Sequence, residues 1–212
     1  MKKYLSKNYP FFKQVLLVIV FVLPFGCKKE NPVTPPPVGD SKLVAYQCED
    51  GKFGFKDKET GEQVIECKYN NAMDFCDGLA AVAINMKWGF IDTKGNEVIP
   101  LKYQRTYSFS ENLAAVQLDN KWGFMDKKGN IVIPFEYEKF YFDLPQKVFG
   151  FSEGLVGVRK VSSKWGFIDT KGNVALPFIY DNLRGPFKNG EAKVTLDGMN
   201  RCVTKTGELT PC

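Results

Sequence analysis

Lys87-Trp-Gly-Phe-Ile-Asp-Thr-Lys-Gly-Asn96 returns as Lys121-Trp-Gly-Phe-Met-Asp-Lys-Lys-Gly-Asn130 and again as Lys164-Trp-Gly-Phe-Ile-Asp-Thr-Lys-Gly-Asn173. A weaker copy is Lys52-Phe-Gly-Phe-Lys-Asp57, and a degenerate one is Met199-Asn-Arg-Cys-Val-Thr-Lys-Thr-Gly207. The anchors Phe53, Trp88, Trp122, Trp165 and Asn200 lie 35, 34, 43 and 35 residues apart. A fixed period of this size marks a repeat architecture, in which each unit buries its apolar face against the next.

The flanks repeat as well. Tyr103, Tyr137 and Tyr180 each follow their Trp by fifteen residues. Phe75-Cys-Asp-Gly-Leu-Ala-Ala-Val82 is echoed by Phe109-Ser-Glu-Asn-Leu-Ala-Ala-Val116 and Phe151-Ser-Glu-Gly-Leu-Val-Gly-Val158, and more loosely from Phe187 to Val194. Each unit reads as three strands, which in the second unit are 79–85, 87–92 and 97–103. Ala80, Val82 and Ile84 recur at every second residue, the period of a strand with one buried face. Asp92 to Gly95 reads as a tight turn, with Asp opening it and Gly supplying the left-handed residue. Pro100, Pro134 and Pro177 cannot donate to a ladder, so the third strand is expected at an edge or at a bulge. Gly89, Gly123 and Gly166 weaken the middle strand, and the expected return is close approach of a neighbouring ring or backbone.

The expected fold is therefore all-β, with tandem three-stranded repeats of about 34 residues stacked as a curved array or a propeller-like or barrel-like assembly. Five units are expected, at 42–75, 76–109, 110–151, 152–187 and 188–212. Phe53, Trp88, Trp122 and Trp165 are read as core anchors, with sugar stacking as the rival use of an indole ring. The repeated Lys-Trp-Gly-Phe-Ile-Asp-x-Lys-Gly-Asn motif, with its following Tyr, resembles the bacterial WG-repeat family. The first and last units depart from it, with Phe53 for Trp and Asn200-Arg201 for Trp-Gly. The resemblance implies a β-rich array, often on exported proteins, and no common chemistry.

Residues 1–27 have the layout of an export signal. Lys2, Lys3, Lys7 and Lys13 precede an apolar run from Val15 to Phe25, too short for a membrane span of about 20 residues. Gly26-Cys27 resembles a bacterial lipobox, which implies acylation of Cys27; ordinary cleavage and an uncleaved anchor are the alternatives. Residues 28–41, rich in proline, read as a stiff tether to a membrane surface. The expected location is the cell envelope, as a lipoprotein facing the periplasm or the cell surface.

Composition narrows the function. The formal charge is +5, but four of the 29 basic residues and none of the 24 acids precede Cys27. What remains is nearly balanced, so nucleic-acid binding has no basic face to rest on. Histidine is absent, which removes the commonest general base and metal ligand. No nucleophile motif, phosphate loop or metal spacing is present, so neither catalysis, nor a cofactor, nor a metal is expected. The cysteines beyond Cys27 lie in or beside the end units, where export permits disulfides. Cys202 with Cys212 is one expected pair and Cys48 a rival partner, with one thiol left over.

The irregular spacing of the third unit comes from an insertion, 138–150, that carries Phe140, Tyr141, Phe142 and Phe149. Insertions in repeat arrays often map to a binding face. This loop is the candidate binding element; its rival role is a cover for the array. The function expected is non-catalytic: a binding or scaffold protein for a protein partner, or else a glycan or cell-wall binder.

Overall fold

The protein, seen here as a computed structural model, is described over residues 42–143 and 148–211. The expected export signal over 1–27 with Cys27, the expected tether over 28–41 and Cys212 lie outside them. No helix occurs among the described residues; the chain forms five small antiparallel sheets in succession.

The first sheet holds β1 (Leu43–Gln47), β2 (Phe53–Asp57) and β3 (Gln63–Tyr69). The second holds β4 (Asn71–Ala72), β5 (Ala80–Ile84), β6 (Lys87–Ile91) and β7 (Glu97–Tyr103). The third repeats this with β8 (Arg105–Thr106), β9 (Ala114–Leu118), β10 (Lys121–Met125) and β11 (Ile131–Tyr137). The fourth opens with β12 (Lys139–Phe140). It is interrupted by a small ribbon, β13 (Phe142–Asp143) with β14 (Val148–Phe149), and continues with β15 (Leu155–Arg159), β16 (Trp165–Asp169) and β17 (Val174–Tyr180). The fifth holds β18 (Asn182–Leu183), β19 (Glu191–Leu196), β20 (Met199–Thr204) and β21 (Leu209–Thr210).

Sheets two to five thus have four strands in sequential order, not the three expected from periodicity. The extra strand is a two-residue segment just after the repeated Tyr, too short to show a period of 2. It pairs with the next long strand, so the sheets begin at 71, 105, 139 and 182, ahead of the unit boundaries drawn from the sequence. The prolines sit where their missing N–H predicts. β7, β11 and β17 are the outer strands of their sheets, and their registers shift against the middle strand.

The close glycine has a measurable cause. The register shift folds the third strand's backbone over the middle strand, and a Cβ on Gly123 would lie 2.7 Å from the Ile133 carbonyl oxygen. The hairpin turn is held by its aspartate. Asp92 Oδ1 accepts the N–H groups of Lys94 and Asn96, each at 2.9 Å, while Gly95 takes φ +84°.

Four apolar clusters join the sheets in sequence. Phe55, Tyr69, Ala80 and Val82 link the first to the second. Ala81, Phe90, Tyr103 and Val116 link the second to the third. Trp122, Phe124, Phe140 and Ile168 link the third to the fourth. Phe167, Tyr180, Leu183 and Val203 link the fourth to the fifth. Among the described residues no cluster links the fifth back to the first, so the cores form an open series. A middle strand is consequently buried on both faces: Ala80 and Val82 face the preceding sheet and Ala81 the following one. The half-buried strand expected from alternation is therefore corrected for the middle units. It survives in β19, whose burial alternates along Glu191, Ala192, Lys193 and Val194.

The fifth sheet departs from this geometry. Trp and the Phe two residues later point towards the following sheet. In the fifth sheet the corresponding positions hold exposed Asn200 and buried, disulfide-bonded Cys202, which pair across the ladder with Thr195 and Lys193.

The Phe-Ser-Glu segments clasp neighbours together. Ser110 Oγ donates to the Phe151 carbonyl at 2.6 Å and Ser152 Oγ to the Phe187 carbonyl at 2.7 Å. Glu111 accepts the Gly154 N–H at 2.9 Å, and Glu153 accepts the Asn189 and Gly190 N–H groups at 2.6 and 2.9 Å. Partial burial of Glu153 opposes ionisation, but those N–H groups and Lys205 outweigh it and hold its pKa below the ordinary value.

Candidate functional site

The Trp anchors share one register and have different surroundings. In each sheet the Trp faces the second residue of the next sheet's short strand. For Trp122 that residue is Phe140, whose ring centroid lies 4.8 Å away and edge-on. Tyr107 adds a second ring at 5.8 Å, and Trp122 is 7% exposed. For Trp165 the residue is Leu183, and the Arg159 guanidinium lies 5.6 Å from the indole centroid on the paired strand. For Trp88 it is Thr106, and the paired strand offers only Ala83.

Two small side chains therefore stand where the other Trp units carry larger ones. The space they leave is a cleft of about 520 Å³ between the second and third sheets. Half-buried Trp88 forms one wall and half-buried Tyr107 another. Burial raises the Tyr107 phenol pKa, with nearby Arg105 opposing the rise. The polar lining comes from Asn70, Asn71, Gln104 and Arg105, and no lining residue is an acid. Thr106 itself is buried and donates its hydroxyl to the Ala115 carbonyl at 2.9 Å, so its polarity is spent internally.

The aromatic insertion does not gather at this cleft. The expectation of an exposed aromatic loop is corrected at Phe140. Its ring is 3% exposed and packs on Trp122, Tyr107 and Phe124. Tyr141 is half-buried against the core between the fourth and fifth sheets. Phe142 and Phe149 are register partners in the backbone of the β13–β14 ribbon. The physical reason is that β12 is the short strand of its own sheet, which the sequence pattern assigned to a loop.

Gly89, Gly123 and Gly166 all lie on middle strands under the third strand, where a Cβ would collide with backbone or, at Gly166, with the Phe178 ring. Phe53 occupies the Trp position of the first sheet, beside Ala72 in the core with the second. Cys48 bonds Cys67, with Cα atoms 6.3 Å apart, so it staples the first sheet rather than reaching the last one. The bridge passes over Gly54, where an added Cβ would sit 2.9 Å from Cys67 Sγ. Cys76 and Cys202 are also disulfide-bonded, and no free thiol occurs among the described residues; Cys212, on which the expected odd thiol turns, lies outside them. Among the described residues no group of three or more Cys, Asp or Glu is placed to hold a metal ion.

Sequential small antiparallel sheets, joined in series by apolar clusters, define an all-β repeat protein. The chain belongs to the family described as WG containing repeat, whose model matches residues 53–88, 88–122, 122–160 and 165–199, well over half of its length. No curated protein matches it. Among solved structures, a eukaryotic initiation factor aligns with a TM-score of 0.52 at 14% identity, over 86% of this chain and 53% of that one. BamB from Moraxella catarrhalis aligns with 0.48 at 14% identity, over 79% and 60%. Kluyveromyces lactis Hsv2 aligns with 0.38 at 13% identity, over 80% and 59%. The chain thus spans little more than half the length of these proteins, and the likeness concerns the fold alone.

Proposed function

We propose that the protein is a non-catalytic binding module of the cell envelope, anchored by lipid at Cys27 and held off the membrane by residues 28–41. The cleft beside Trp88 is its binding site. The observation that carries this reading is the cleft itself: Trp122 is buried under Phe140, whereas half-buried Trp88 stands beside Thr106 and Ala83 in the lining of an open space. A site built only for packing would fill that space, because voids forfeit contacts. Of the two ligand classes the sequence leaves open, a protein partner and a glycan, the cleft favours the glycan. Its half-buried indole and amide side chains suit a ring that is apolar on its faces and polar at its rim.

Thr106→Phe tests the site by copying the protein's own arrangement at Phe140. The variant is expected to melt like the parent, or slightly higher, and to lose an envelope component that the parent retains on an affinity column. Equal retention by both would remove the cleft from the function.

A further inference from the structure

We infer that the Trp88 cleft takes a carboxylate-bearing saccharide, a glycan containing uronic or similarly acidic sugar units, with Arg105 as the group that selects the acid. This inference rests on the cleft being the binding site and adds the chemistry of what fills it.

The cleft has one formal charge. Arg105 is exposed at its mouth on β8 and has no ion-pair partner among the described residues. Its guanidinium is a rigid fork of donors that matches a carboxylate with two parallel hydrogen bonds. The lining carries no acid to neutralise it, so an anionic group meets no repulsion there. The corresponding residues of the next two short strands are Lys139 and Asn182, so of these three positions the one that carries a guanidinium fork is the one that lines the cleft.

The remaining lining sorts the ligand further. Asn70 Oδ1 is occupied by the Asn85 N–H at 2.9 Å, which leaves its amide N–H groups to donate. Gln104 Oε1 accepts the Asn120 N–H at 2.9 Å and its NH2 donates at 3.4 Å to Asn120 Oδ1, which leaves one amide N–H to donate. Exposed Asn71 adds both a donor and an acceptor. These donors stand around one open indole face. A sugar ring places its C–H face on the indole and its hydroxyls at the rim, where such amides reach them. An acidic peptide would satisfy Arg105 but has no polyhydroxyl rim for the amides. Leaving them desolvated and unpaired is costly.

The test uses the full chain in detergent micelles and reads tryptophan fluorescence and calorimetry. The probes are an oligogalacturonate, a neutral cello-oligosaccharide and a poly-glutamate peptide of matched length. Oligogalacturonate is expected to bind and to perturb the emission. Thr106→Phe, which plugs the cleft, and Trp88→Ala, which removes its wall, are each expected to abolish that binding. Arg105→Gln is expected to weaken oligogalacturonate about tenfold, as for loss of a charge-assisted pair, and to leave the neutral sugar unchanged.

Absence of oligogalacturonate binding at millimolar concentration overturns the inference. So does binding that survives in Thr106→Phe, or poly-glutamate binding with the same variant pattern. If Thr106→Phe loses the envelope component but no saccharide binds, the cleft stands as the site and the saccharide falls. If the neutral sugar binds as tightly and Arg105→Gln changes nothing, a glycan site stands and its acid selectivity falls.

Discussion

Trp122→Ala separates a packing indole from an exposed one. Trp122 is 7% exposed, stands between the third and fourth sheets, and meets the rings of Phe140 at 4.8 Å and Tyr107 at 5.8 Å. Truncating a buried aromatic costs about 3–5 kcal/mol, and the well-packed neighbours here cannot collapse into the space. For a chain of this size each kcal/mol lowers Tm by about 2–4 °C, which gives a fall of roughly 6–20 °C. The weakened interface lies in the middle of the series, so unfolding should also broaden as the two halves begin to melt separately. Trp88→Ala is the internal control. Its ring already faces the cleft, so less area returns to water and the cost should be roughly 1–2 kcal/mol. The assay is thermal unfolding by near-ultraviolet circular dichroism of both variants and the parent. Equal shifts for the two variants, or no shift for Trp122→Ala, would refute the assignment of one ring to the core and the other to the cleft.

Gly123→Ala should cost about 1–3 kcal/mol, as overpacking does, because its Cβ meets the Ile133 carbonyl at 2.7 Å; denaturant melts check it, and a neutral result would mean the third strand moves freely. Breaking the Cys48–Cys67 bridge with serine at both positions should cost up to about 3 kcal/mol, seen as earlier exchange of the amides of the first sheet alone. Glu153 has a folded pKa below its ordinary 4.5, so its contribution is present above that value and lost as the pH falls through the folded pKa. Acid melts should therefore lose stability below about pH 4.5, and Glu153→Gln should flatten that slope; an unchanged slope would remove the clasp from the stability of the array. Cys27→Ser should move the protein from the membrane fraction to the soluble one and abolish any mass gain from acyl chains; unchanged fractionation would defeat the anchor.

Much of the architecture was legible because it is periodic. The spacing of Phe53, Trp88, Trp122 and Trp165 defines the repeat, and the Asp-x-x-Gly turns and third-strand prolines place the long strands within it. The short strands were not legible. Asn71–Ala72 and Lys139–Phe140 are two residues each, and a period of 2 needs more residues to show. That omission misplaced Phe140 in a loop.

The amino-acid sequence by itself determined which residues repeat, the all-β class and the strand–turn–strand unit, because these depend on local periodicity and turn chemistry. Only the tertiary structure decided which of three equivalent tryptophans lines a cleft and which is buried. That depends on what the next sheet places against each one, Phe140 and Leu183 against two and Thr106 against the third. Those residues lie about 18 positions beyond the indoles they meet, and no local pattern links them.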